Sequence, residues 1–154
     1  MNLINMLKPS EFFTQNIGKE MTTSPSPVLN WLKPVILSVE KGKLILQYTI
    51  RKEMTNPMGI LHGGMTAAII DDAMGATLFG YDEPHYYVTV NLAIDYFSSA
   101  KEGDLIVAET TMIKKGRQIA NVQCEVWNEG RTRIIARGYS NLLRTEKRQA
   151  PEAP

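Results

Sequence analysis

Gly64-Met-Thr-Ala-Ala-Ile-Ile-Asp-Asp-Ala-Met-Gly-Ala-Thr-Leu-Phe79 is the one long stretch of this chain with helical character. At about 100° per residue, Ala67, Ala68, Ile69, Ile70, Ala73, Met74, Ala76, Thr77 and Leu78 cover nearly its whole circumference. A helix that is apolar on every side has no face to give to water, so other elements must wrap it. Gly80 is placed to end it.

Working outward, Val35, Leu37 and Val39 alternate with other residues, as do Leu44, Leu46, Tyr48 and Ile50 beyond Lys41-Gly42-Lys43. Both read as strands. After the helix come four strand-like runs, Tyr86 to Phe97, Asp104 to Lys114, Gln118 to Asn128 and Arg131 to Leu143. Glu102-Gly103, Lys115-Gly116-Arg117 and Asn128-Glu129-Gly130 separate them, and such short glycine turns predict hairpins and an antiparallel meander. One antiparallel sheet curled about one helix is an α+β architecture. The edges of so small a sheet need cover, which pairing across a two-fold axis would supply.

The first third reads as preamble. Ser10 suits a helix start, and the run from Thr22 to Pro27 is a break. Val28 to Leu32 forms a short helix that ends before Pro34. The expected organisation is a helical preamble over residues 1–30, the main domain over 31–143, and a loose charged tail over 144–154.

Hydrophobic residues make up 44% and charged residues 21% of the 154, which excludes disordered and collagen-like classes. The net charge of +1 provides no electrostatic case for nucleic acid. Lys114, Lys115 and Arg117, around Gly116, form the only basic cluster, either a solvated turn or a phosphate contact. With Cys124 alone there is no internal disulfide, and its apolar neighbours Val122 and Val126 predict a buried structural thiol. No apolar run approaches membrane-spanning length, and Met1 to Phe13 lacks the order of a signal peptide, so a cytoplasmic protein is expected.

The chemistry sits in Asn56-Pro-Met-Gly-Ile-Leu-His62-Gly63-Gly64 and the acids Asp71 and Asp72. The first N–H groups of a helix lack intrahelical partners and carry partial positive charge. Glycines there let a substrate atom come close, and a carbonyl oxygen turning anionic suits such donors. Taken alone, His62 caps the helix or bonds within its loop, and paired glycines are ordinary turn punctuation. Asp71 is harder to set aside, because an ionised carboxylate in an apolar helix costs several kcal/mol unless it is paired or has a task. Asp72 lies about 100° round the helix and is expected to face solvent at an interface. Asp71 is eight residues beyond Gly63, about 12 Å along the axis at about 1.5 Å per residue. One reacting carbonyl cannot touch both within a chain, which points to a site shared between subunits.

The pattern Asn-x-x-Gly-x-x-His-Gly-Gly, with Asp following nine residues after the His, resembles the 4-hydroxybenzoyl-CoA thioesterase superfamily. Within it, the phenylacetate-degradation-type and thioesterase-superfamily-member branch matches from about Trp31 to Leu143, including Val88-Thr89-Val90-Asn91-Leu92 and the Lys-Lys-Gly-Arg turn. The resemblance implies a hotdog fold in a homo-oligomer, a dimer or dimer of dimers, hydrolysing an acyl-CoA with no metal and no cofactor beyond the CoA of the substrate. It implies that Asp71 activates water or acts as nucleophile. Asn56, His62 and Gly63 of the opposite subunit then bind or polarise the thioester carbonyl. Thr89, where relatives commonly carry serine, positions the water, and Asn91 is expected on the same strand face. Lys114, Lys115, Gly116 and Arg117 would meet the CoA nucleotide. Met65, Met74, Leu78 and Tyr81 are expected as acyl-pocket walls. The rivals are a hotdog enoyl-CoA hydratase or dehydratase, whose histidine is spaced differently, and a non-catalytic acyl-CoA-binding module.

Overall fold

A computed structural model describes residues 7–147. Its elements are α1 (Pro9–Gln15), α2 (Pro27–Leu32), β1 (Val35–Glu40), β2 (Lys43–Thr49), a 3-10 turn (Lys52–Met54) and α3 (Gly63–Phe79). They continue with β3 (His85–Tyr96), β4 (Leu105–Lys115), β5 (Ile119–Asn128) and β6 (Ile134–Lys147). The α+β class and the hotdog arrangement are as expected: a six-stranded antiparallel sheet with the long helix α3 across one face. Ile69, Ile70, Ala73 and Met74 are fully buried against Leu46, Tyr48, Ile106, Ala108, Val122 and Cys124 from the sheet. Gly138 on β6 permits that approach, since a Cβ there would lie 2.6 Å from Ile70 Cγ2. Thr77 of α3 and Thr110 of β4 bury their hydroxyls against each other at 2.6 Å, so neither is left unsatisfied.

The strand order is β1-β2-β4-β5-β6-β3. Consecutive β4, β5 and β6 form the expected hairpins, but Glu102-Gly103 does not join a hairpin. The two sides of β4 are taken by β2 and β5, so β3 pairs with the remaining free edge, that of β6. The chain from Phe97 to Asp104 then runs along one end of the sheet, bonding successively to Ile135, Leu61 and Ile50.

Gly80 ends α3 as expected, as its C-cap in a right-handed conformation. Two local expectations change. Lys8, rather than Ser10, is the N-cap of α1, and Ser10 instead bonds to Asp82. Arg144 to Lys147 continue β6, with Arg144 N–H donating to Gln118, and are not tail. Residues 148–154 of the expected tail and 1–6 of the preamble lie outside the described residues.

The two sheet edges differ. Gly18 and Met21 donate to Ile36 and Pro34, so the preamble lies along β1. No described segment pairs with the outer edge of β3, a strand of 12 residues. Val88 and Val90 there are 49% and 61% exposed. So long and apolar an unpaired edge is a template for a second chain.

Candidate active site

His62 is the N-cap of α3, and its Nδ1 accepts from Gly64 N–H at 2.9 Å. Accepting there leaves the ring proton on Nε2, on an exposed side chain. The plain role of capping thus fixes the tautomer that a carbonyl-binding donor needs. Gly63 begins the helix, and no acceptor among the described residues takes its N–H. Its carbonyl accepts from Tyr96 Oη at 2.8 Å, and a Cβ on Gly63 would touch the Tyr96 ring at 3.5 to 3.6 Å. Tyr96, which no spacing in the sequence marks, therefore fixes the turn that presents the Gly63 amide.

Asn56 folds its own loop. Its Oδ1 accepts from Met58 N–H at 2.9 Å and Ile60 N–H at 3.4 Å, an Asx-type turn that does not use the Nδ2 donors. The loop is held by His62 N–H to Met54 and Leu61 N–H to Ala100.

Asp71 sits two turns further along α3. Thr89 Oγ1 donates to Asp71 Oδ1 at 2.7 Å, which orients the carboxylate and leaves Oδ2 open. Asn56, His62 and Gly63 thus gather at the start of α3, while Asp71 and Thr89 meet about 12 Å away along the axis.

Asn91 does not join Thr89. A bulge between Thr89 and Asn91 pairs Thr89 with buried Leu142 but Asn91 with Asn141, so the two side chains leave opposite faces of the sheet. Asn91 instead accepts from Asn141 Nδ2, and Asn121 Nδ2 donates to Asn141 Oδ1, making an asparagine ladder on the face away from α3.

Asp72 is not turned to solvent. Its Oδ1 accepts from Ser26 Oγ at 3.1 Å, and its Oδ2 is buried without a partner among the described residues. Burial pushes its carboxyl up to about 6, the Ser26 hydrogen bond opposes the shift, and the neighbouring Asp71 charge adds to it. The Tyr48 hydroxyl is likewise buried without a partner, and burial followed by the charge of Asp72 holds it well above its usual range. Cys124 is fully buried as expected, its thiol pushed up by burial.

Of the basic cluster, Lys115 is already engaged. Its ammonium pairs with Glu83 and lies 5.3 Å from the Tyr81 ring centroid. A Cβ on Gly116 would lie 2.8 Å from the Ile119 carbonyl, so that glycine serves the turn. Lys114 and Arg117 are exposed and form no ion pair among the described residues.

A groove of about 460 Å³ starts at Asp71 and Thr89 and is lined by Gly75, Ala76, Phe79 and Phe13. Met74 and Leu78, expected as pocket walls, are in the core, and Tyr81 lines a different cavity. No cluster of three or more His, Cys, Asp or Glu side chains able to hold a metal is present among the described residues.

The family described as the thioesterase superfamily matches residues 58–135. Human acyl-coenzyme A thioesterase 13 is 32% identical over 106 residues, covering 69% of this chain and 76% of that protein. The crystal structure of zebra fish thioesterase superfamily member 2 is 27% identical with a TM-score of 0.73, covering 95% of this chain and all of that one (100%). A Streptococcus mutans protein solved bound to acetyl-CoA is 25% identical with a TM-score of 0.70, covering 76% and 92% of the two chains.

Proposed function

The chain belongs to the thioesterase superfamily, and on that footing we propose that it is an acyl-CoA thioesterase whose active site is shared by two subunits. Asp71 and Thr89 come from one subunit, and Asn56, His62 and Gly63 from the other. One observation carries this reading. A carboxylate oriented by Thr89 and an unpartnered amide at Gly63 lie on the same helix, about 12 Å apart, beside a sheet edge that nothing described covers.

Two copies pairing β3 against β3 would extend the sheet across a two-fold axis and bring the start of one α3 toward the middle of the other. The thioester carbonyl then meets Gly63 N–H, with His62 Nε2–H and Asn56 Nδ2 as further donors. Asp71 Oδ2 accepts a proton from water as the water oxygen bonds to the carbonyl carbon. The tetrahedral oxyanion collapses, the carbon–sulfur bond breaks, and the CoA thiolate takes up a proton while the free acid leaves. In the covalent variant, Asp71 attacks the carbon itself, the carbon–sulfur bond breaks and the CoA thiolate takes up a proton. Water then hydrolyses the resulting anhydride to free acid and the Asp71 carboxylate. ¹⁸O from labelled water found in Asp71 after a single turnover marks the covalent route with attack on the Asp71 carbonyl. Lys114 and Arg117 are the basic side chains left to meet the phosphates of the CoA nucleotide.

Complementation tests the shared site. Asp71→Asn and the double variant Asn56→Ala/His62→Ala should each lose most of their activity on acyl-CoA when assayed alone, and they are then mixed under conditions that exchange subunits. In a mixed dimer one site collects both lesions and the other none, so activity returns in proportion to the mixed dimers formed. No recovery despite demonstrated exchange refutes the shared site, and sedimentation showing an active monomer refutes the dimer.

A further inference from the structure

Gly75 stands in the middle of α3, where a glycine weakens a helix relative to alanine. The fold does not require it. Its backbone conformation is an ordinary helical one, and a Cβ built there would meet nothing within 4 Å. By contrast, Gly138 is required by the approach of Ile70. The space that the Gly75 side chain would occupy is the groove that begins at Asp71.

Helix geometry places Gly75 within it. At about 100° per residue, Gly75 is about 40° round from Asp71, Phe79 about 80° and Ala76 about 140°. Asp71 with Thr89 therefore borders one side, the Ser24–Ser26 segment borders the other beyond Asp72 and Ala76, and Gly75 and Phe79 form the floor between. Ser26 is tied to Asp72 at 3.1 Å, and Asn30 bonds both Ser24 N–H and Ser24 carbonyl at 2.7 Å, so this second wall is held in place. Phe13 and Phe79 meet edge-on at the far end, with ring centroids 6.3 Å apart.

Resting on the thioesterase reading, we propose that this groove takes the acyl group of the substrate and that Gly75 is its specificity-determining residue, kept side-chain-free so that an unbranched apolar acyl chain can pass. Asp71 to Phe79 spans about 12 Å at about 1.5 Å per residue, and Gly75 lies halfway at about 6 Å. An extended chain advances about 1.2 Å per bond, so it passes Gly75 after about five bonds and fills the groove after about ten. The substrate class is a straight-chain acyl-CoA of medium length, and branched chains would strike the floor.

The test compares wild type, Gly75→Ala and Gly75→Leu on butyryl-, octanoyl- and decanoyl-CoA, with release of free thiol as the readout. The ratio of kcat/KM for decanoyl-CoA to that for butyryl-CoA should fall about tenfold in Gly75→Ala, as expected for one methyl group in an apolar pocket. In Gly75→Leu it should fall further. Gly75→Ala should also raise the thermal midpoint by about 1–4 °C, so loss of long-chain activity accompanies a gain in stability. An unchanged ratio in both variants overturns the assignment, as does a wild type that hydrolyses butyryl-CoA but not octanoyl- or decanoyl-CoA. Sedimentation showing that Gly75→Ala splits the oligomer also overturns it, by making Gly75 a contact between subunits. A wild type inactive on every acyl-CoA defeats the thioesterase reading itself.

Discussion

Asp72→Asn tests the electrostatics of α3 directly. The Asp72 carboxyl is raised from its ordinary value of 3.8 to about 6, chiefly by burial. The difference is 6 − 3.8 = 2.2 pH units, and at 1.36 kcal/mol per unit this is at most about 3 kcal/mol. The sign follows from proton uptake. Between about pH 4 and pH 6 the folded chain holds this proton and the unfolded chain has lost it, so stability falls as pH rises through that window. Above about pH 7 the group is ionised in both states and the full penalty remains; below about pH 4 it is protonated in both and the penalty is gone. Asparagine keeps an oxygen to accept from Ser26 but carries no charge, so any offset from its buried amide is the same at every pH. The stability of Asp72→Asn minus that of wild type should therefore grow by up to about 3 kcal/mol between pH 4 and pH 8. Urea unfolding at one fixed subunit concentration measures it at each pH. A difference that stays flat with pH means that Asp72 is not a buried titrating acid, and the inward orientation of its side chain is then wrong.

Asp71→Asn should lower kcat by about 10²-fold or more with circular dichroism unchanged, because a positioned acid–base group supplies about 10²–10⁴-fold. Asp72→Asn should lose far less, and equal losses would remove the distinction between the two acids. Gly138→Ala should destabilise the fold by about 1–3 kcal/mol in denaturant, since its Cβ would lie 2.6 Å from Ile70 Cγ2. A neutral Gly138→Ala would mean that α3 can move away from β6 without loss.

Much of this protein is legible from local pattern. The apolar girth of residues 64–79 marked a helix that had to be covered, and α3 spans Gly63–Phe79. Alternation in the first two strands and glycine turns between the later runs located all six strands to within a few residues, because both signals are local to the chain. The spacing from His62 to Asp71 already separated two halves of a site, since helical rise is nearly constant. Other features depended on contacts distant in sequence. Which edge β3 would join was settled by β2 and β5 occupying both sides of β4, and no turn motif encodes that competition. One extra residue at the bulge beside Val90 sent Thr89 toward Asp71 and Asn91 to the other face, and strict alternation has no means of showing a slip of one. A helix apolar all round also has no polar side to orient it. Only the packing of Ser26 and Tyr48 around α3 decided that Asp72 buries its carboxylate against Ser26 while Asp71, on the same groove, meets Thr89.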